Sequence, residues 1–140
     1  MALSVRNQLP ATVTHVQDGA VMATVKTTLA GGQELTAAIT LEAARELELA
    51  AGTRARLLIK STDVALATGT VSGLSIRNQV PGTVAAVEAG AAMATVKVEV
   101  AGGLMLTAAI TADAAADLGL ATGTAVTALI KSTEVSIATD

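Results

Sequence analysis

The sequence predicts an all-β protein with one short helix per repeat, built as two tandem five-stranded β-barrels. Three observations carry that expectation. First, the chain repeats itself: shifted by 71 residues, positions 3–69 fall on 74–140 without a gap, and about 40 of about 67 aligned pairs are identical. Second, most apolar stretches alternate with polar residues and are rich in Val, Thr and Ile, the period of half-buried strands. Third, Gly and Asp-Gly turn signals punctuate these stretches at strand-length intervals.

In the first repeat, residues 12–16 alternate and are β-branched, and the strand ends at the turn signal Asp18-Gly19. Residues 21–29 form a second strand, broken by the hairpin loop Ala30-Gly31-Gly32, and residues 35–40 form the third. The period then changes. Thr40 is placed to cap a short helix over residues 41–47, whose Glu42 favours the positive end of the helix dipole. Ala51-Gly52 ends the helical excursion, and residues 53–59 and 64–67 supply the last two strands. The order β-β-β-α-β-β is that of the OB barrel, so each repeat is expected to be OB-like. The domains are read as 1–69 and 74–140, joined by a short linker at 70–73 inside Gly69-Thr70-Val71-Ser72-Gly73.

Composition narrows the function. Hydrophobic residues make up 51% of the chain, yet there is no Phe, Trp or Tyr, so the core is built from small side chains. A repeat of this size with such a core is marginal alone, and association into a homo-oligomer is the expected remedy. The absence of Cys excludes disulfides, iron–sulfur ligation and thiolate catalysis. No leader-like N-terminal pattern and no apolar run of about 20 residues is present, so a soluble protein without a membrane partner is expected, compatible with the cytoplasm. A net charge of −3 and the lack of stacking rings argue against a nucleic-acid partner.

The cations are the informative polar set. Arg6/Arg77, Lys26/Lys97 and Lys60/Lys131 recur at equivalent positions, whereas Arg45, Arg54 and Arg56 occur only in the first repeat. Lys26 and Lys97 sit mid-strand and fit an exposed sheet face. Arg6 lies in Ser4-Val5-Arg6-Asn7-Gln8 and Lys60 in Lys60-Ser61-Thr62, each beside small hydroxyls and loop amides. A tetrahedral dianion needs convergent N–H and O–H donors with one or two cations, and these segments supply them if they meet in space. Otherwise they are an ordinary strand start and an ordinary turn. Thr40 and Thr111 carry a similar double reading, as helix caps or as contributors to an anion site at a helix start.

Catalysis is not expected. His15, the only histidine, has Ala86 as its counterpart, so no His-dependent site can exist in both halves. No cluster of metal-ligand type occurs, and no residue is read as a direct ligand of a metal cation. Glu42/Asp113 and Glu46/Asp117 have the spacing of a solvated helix face. Gly31-Gly32 and Gly102-Gly103 are hairpin glycines rather than a phosphate loop.

The combination Ser4-Val5-Arg6-Asn7-Gln8, Gly19-Ala20-Val21-Met22-Ala23-Thr24-Val25, residues 35–40 and residues 59–64, repeated from Ser75 to Val135, resembles the tandem Mop-domain (molbindin) family of cytoplasmic molybdate-binding proteins. The resemblance covers nearly the whole chain. It implies OB-like barrels, a homotrimer of two-domain chains, and molybdate or tungstate held at subunit interfaces for storage and homeostasis, with no further cofactor. It implies Ser4, Arg6, Lys60 and Ser61, with Ser75, Arg77, Lys131 and Ser132, as oxyanion-binding residues. Val5 and Ile76 are implied as backbone donors, and Thr40 and Thr111 as contributors from the helix start. The turns Gly19-Ala20 and Gly90-Ala91 are assigned to a site near the threefold axis. Met22 and Met93 depart from the family, which often has a polar residue there. The alternatives are an OB-type nucleic-acid-binding module and a regulatory interaction module.

Overall fold

The computed structural model describes residues 2–140. In the first repeat the elements are β1 (Asn7–Asp18), β2 (Met22–Leu29), β3 (Glu34–Thr40), α1 (Leu41–Glu46), β4 (Arg54–Ile59), a 3₁₀ turn at Ser61–Asp63, and β5 (Ala65–Ala67). The second repeats them as β6 (Asn78–Ala89), β7 (Met93–Val100), β8 (Leu104–Thr111), α2 (Ala112–Asp117), β9 (Ala125–Ile130), a 3₁₀ turn at Ser132–Glu134, and β10 (Ser136–Ala138). The all-β expectation, the element order and the single short helix per repeat are borne out.

Local chemistry accounts for the elements. Along β7 every second residue is buried, so one face supplies Ala94, Val96, Val98 and Val100 to the core. Thr40 Oγ1 accepts the Ala43 N–H at 3.1 Å, and Thr111 Oγ1 accepts that of Ala114 at 3.0 Å, so both threonines cap their helices. The first strand starts at Asn7, earlier than the alternation from residue 12 suggests, and runs through Pro10. Val13 N–H donates toward β4, to Thr53 O, so the nitrogen of Pro10 points to the opposite side, where the ladder with β2 begins only at Ala11. A bulge at Thr14, and its counterpart at Ala85, interrupts the register with β2 and β7.

The strands form two five-stranded sheets in the orders β10-β4-β1-β2-β3 and β5-β9-β6-β7-β8. Each sheet therefore takes its fifth strand from the other repeat: Ile137 pairs with Leu57, and Leu66 with Ala128. The repeat boundary near residues 70–73 is not where the chain passes between sheets. It passes at Lys60–Val64 and again at Lys131–Val135, immediately before β5 and β10.

One apolar cluster runs continuously through both sheets, from Leu9, Leu57 and Ile59 to Val80, Val96 and Ile130. A smaller cluster of Val13, Ala23, Val25, Ala44 and Leu49 sits under α1. Pooling the two halves gives small side chains a core that neither repeat would have by itself. The hairpin loops also meet: a Cβ on Gly31 would collide with the Ala101 carbonyl, so only glycine permits that approach.

Two buried asparagines fasten the halves. Asn7 Nδ2 donates to Thr107 O at 2.9 Å, and Asn7 Oδ1 accepts the Thr107 N–H at 2.7 Å. Asn78 does the same with the backbone of Thr36, at 2.8 Å in both directions. Each amide acts as one extra rung of ladder on the third strand of the other repeat.

Candidate functional site

The pairing of β1 with β4 ends at Asn7 opposite Ile59, and that of β6 with β9 at Asn78 opposite Ile130. Arg6 and Lys60 are thus the first residues beyond one ladder, and Arg77 and Lys131 beyond the other. In the second repeat, Ser75, Ile76, Arg77, Lys131, Ser132 and Thr133 line a cleft of about 250 Å³. The Ser-x-Arg and Lys-Ser-Thr segments meet in space, as the dianion chemistry requires.

The arginine and glutamine of each motif brace the loop. Arg6 donates to Leu3 O at 3.0 Å and Ser4 O at 3.3 Å, and Gln8 Nε2 to Val5 O at 3.1 Å. Arg77 donates to Leu74 O at 3.2 Å, and Gln79 to Ile76 O at 3.0 Å. These bonds engage the loop's carbonyls, the groups that would repel an anion. On the facing segment, Asp63 N–H donates to Lys60 O and Val64 N–H to Ser61 O, so the turn's own bonding leaves out the Ser61 and Thr62 amides. The same holds at Ser132 and Thr133.

Two atoms mark the cluster. The hydroxyl oxygens of Ser61 and Ser132 are buried and have no hydrogen-bond partner among the described residues. A buried hydroxyl without a partner costs about 1–3 kcal/mol, and here it recurs in both halves, each time next to a lysine. The ion pairs among the described residues, Lys26 with Glu34 at 3.9 Å and Arg56 with Asp140 at 3.5 Å, leave Arg6, Lys60, Arg77 and Lys131 without a carboxylate.

A second cleft of about 320 Å³ adjoins the first and shares Ile76 and Lys131 with it. Its other wall includes Thr62 and Asp63 from the opposite repeat, together with Ile110 and Glu134. The crossover of each repeat rests on the third strand of the other. Asp63 therefore faces Lys131 of the opposite repeat, a placement no local pattern announced, while Glu134 reaches the same cleft from the turn that Lys131 begins. Thr40 and Thr111 do not line these clefts. Their hydroxyls are engaged as caps, and Thr111 stands one residue beyond the lining residue Ile110. Leu41 N–H is also bonded, to Val21 O, which leaves little donor capacity at the helix start.

The turns Gly19-Ala20 and Gly90-Ala91 lie at the opposite ends of β1 and β6 from the arginines. Gly19 N–H donates to Met22 O and Gly90 N–H to Met93 O, both at 2.8 Å. Ala20 lines a separate hollow of about 440 Å³ with Val21, Leu41, Glu42 and Arg45. Asn7 and Asn78, next to the site, were missed as functional residues by the sequence reading. Their recurrence immediately after each arginine was the available signal.

Two copies of a small β-unit, sharing one core and carrying the same cation-hydroxyl cluster, define a tandem-domain protein. The TOBE domain family matches residues 3–66 and again residues 74–137, and the chain belongs to that family. It is 41% identical over 139 residues to the molybdenum transport protein ModE of Herbaspirillum seropedicae, an alignment covering 99% of this chain and 52% of that protein. It is also 41% identical over 139 residues to the molybdenum-pterin-binding protein MopA of Rhodobacter capsulatus, with 99% and 52% covered. The chain thus spans about half the length of the curated relatives it matches. A crystal structure of the cytoplasmic molybdate-binding protein ModG with molybdate bound is 40% identical, covers 100% of both chains and superposes with a TM-score of 0.97.

Proposed function

We propose that this protein binds molybdate, and tungstate in its place, as intact oxyanions, and that its role is storage and homeostasis rather than catalysis. Lys60 and Lys131 supply charge, while Ser61 and Ser132 donate hydroxyl protons. The loop amides around Val5, Ser61, Ile76 and Ser132 complete the donor set, and Arg6 and Arg77 hold the loops open. The observation that carries this reading is the pair of buried, partnerless seryl oxygens, one beside each lysine. The open clefts fit sites completed by a neighbouring subunit, and a cytoplasmic homotrimer is the proposed assembly. The Gly19-Ala20 and Gly90-Ala91 turns belong to this proposal as contributors from the subunit interfaces, and Thr40 and Thr111 as the caps that fix the helix starts beside them. No helix among the described residues is long and apolar enough to cross a membrane.

Calorimetric titration with sodium molybdate, with sulfate and phosphate run alongside, tests the function, and light scattering tests the assembly. Saturable heat with molybdate and tungstate and weak heat with the other two is expected. Silence with both metal oxyanions would end the proposal.

A further inference from the structure

We propose that the outer face of β1 and β4 in the first repeat is a separate, single-copy site for a small organic anion, its charged head between Arg54 and Arg56. Thr12 pairs with Arg54 on one side and Thr28 on the other, and Pro10 pairs with Arg56, so these five side chains share the face opposite the core. They border a groove of about 510 Å³ that also includes Leu29 and Asp140. Two arginines at alternate positions of a strand lie about 7 Å apart, a spacing at which both guanidinium groups reach one phosphate or carboxylate head. The Thr12 and Thr28 hydroxyls stand within the same groove as additional donors.

The groove has about twice the volume of the cleft at Ser75, Arg77 and Lys131, so it leaves room for a body carried on the charged head. Pro10, Ala30 and Ala138 give that body an apolar border. The protein's own carboxylate already samples the head position: Asp140 Oδ1 lies 3.5 Å from Arg56, although the Asp140 side chain is 96% exposed. It acts as a weak internal competitor for the anionic head.

The second repeat supplies the control. Its equivalent face has Ala125 and Thr127 in place of the arginines, and its groove is lined by Pro81, Thr83 and Glu99 without a cation. The site is therefore not a copy of the duplicated Lys-Ser cluster, and it stands or falls independently of molybdate binding.

Titrating the isotopically labelled full chain with phenyl phosphate, benzoate and inorganic phosphate, read by amide NMR, tests the assignment. Phenyl phosphate should move the Thr12, Thr28, Arg54 and Arg56 signals saturably and leave those of Thr83 and Glu99 in place. Benzoate should move the same set more weakly if the head requires phosphate, and equally if a carboxylate suffices, either outcome supporting the site. The double substitution Arg54→Ala and Arg56→Thr installs residues the second repeat already tolerates, and should weaken binding by about tenfold or more. Asp140→Asn should strengthen it. Equal shifts on both repeats, no effect of the double substitution, or inorganic phosphate binding as tightly as phenyl phosphate would each overturn the proposal.

Discussion

Replacing Asn7 with alanine removes a side chain that is 1% exposed and makes two hydrogen bonds to one residue of the other repeat. Thr107, 8% exposed, would be left with its backbone N–H and C=O deprived of those partners. Each buried group left unpaired costs about 1–3 kcal/mol, and some water entry will relieve part of it, so a total loss of about 2–5 kcal/mol is expected. For a chain of this length each kcal/mol lowers the melting temperature by about 2–4 °C, which gives a drop of about 4–20 °C. With no Trp or Tyr to report by fluorescence, the assay is calorimetry or far-ultraviolet circular dichroism. Asn78→Ala should behave alike through Thr36, because its bonds have the same lengths to within 0.1 Å. A loss below about 1 kcal/mol for both variants would refute the claim that these amides fasten the repeats.

Two further outcomes follow from the crossovers. Ser132→Ala removes a buried hydroxyl that lacks a partner, so the ligand-free protein should be unchanged or more stable by up to about 1–3 kcal/mol, while molybdate affinity falls about tenfold or more. Melting curves and titration calorimetry on the same variant check both, and unchanged affinity would remove Ser132 from the site. Deleting residues 136–140 should strip hydrogen-exchange protection from residues 54–59, in the repeat that was not shortened, because β10 pairs with β4. Loss confined to residues 125–130 would refute the strand exchange.

The features legible in the sequence are those set by nearby residues. Alternation gave the outer part of β1, β-rich composition closed by a glycine loop gave β2, the change of period gave α1, and Thr40 and Thr111 cap their helices because a hydroxyl three residues ahead of a free amide has an immediate local use. The meeting of Arg77 with Lys131 was legible only as a condition on chemistry, and strand register then satisfied it. The destination of β5 and β10 left no local trace. Residues 65–67 are equally compatible with either sheet edge, and which edge they occupy is decided by Leu66 and Ile137 packing into the common core. Asp63 escaped for the same reason, since its approach to Lys131 depends on the crossover. The early start of β1 was hidden by Pro10, which reads as a strand breaker unless the pairing partner of each edge is known.

Strand exchange also explains why the chemistry sits where it does. A chain leaving one sheet for another must stop donating to a ladder for several residues, and the 3₁₀ turns after Lys60 and Lys131 do this with amides still unpaired. The crossing buries the following serine between two bodies, which is how a small hydroxyl comes to lack both water and protein partners. The requirements of a crossover and those of the proposed oxyanion site are therefore met by the same few residues. The arginine and glutamine braces on the facing loop add what the crossover alone lacks, a neighbouring segment whose carbonyls are already engaged. Anything that binds there contacts the segment joining both sheets, so its binding free energy acts on the whole two-sheet unit rather than on one repeat.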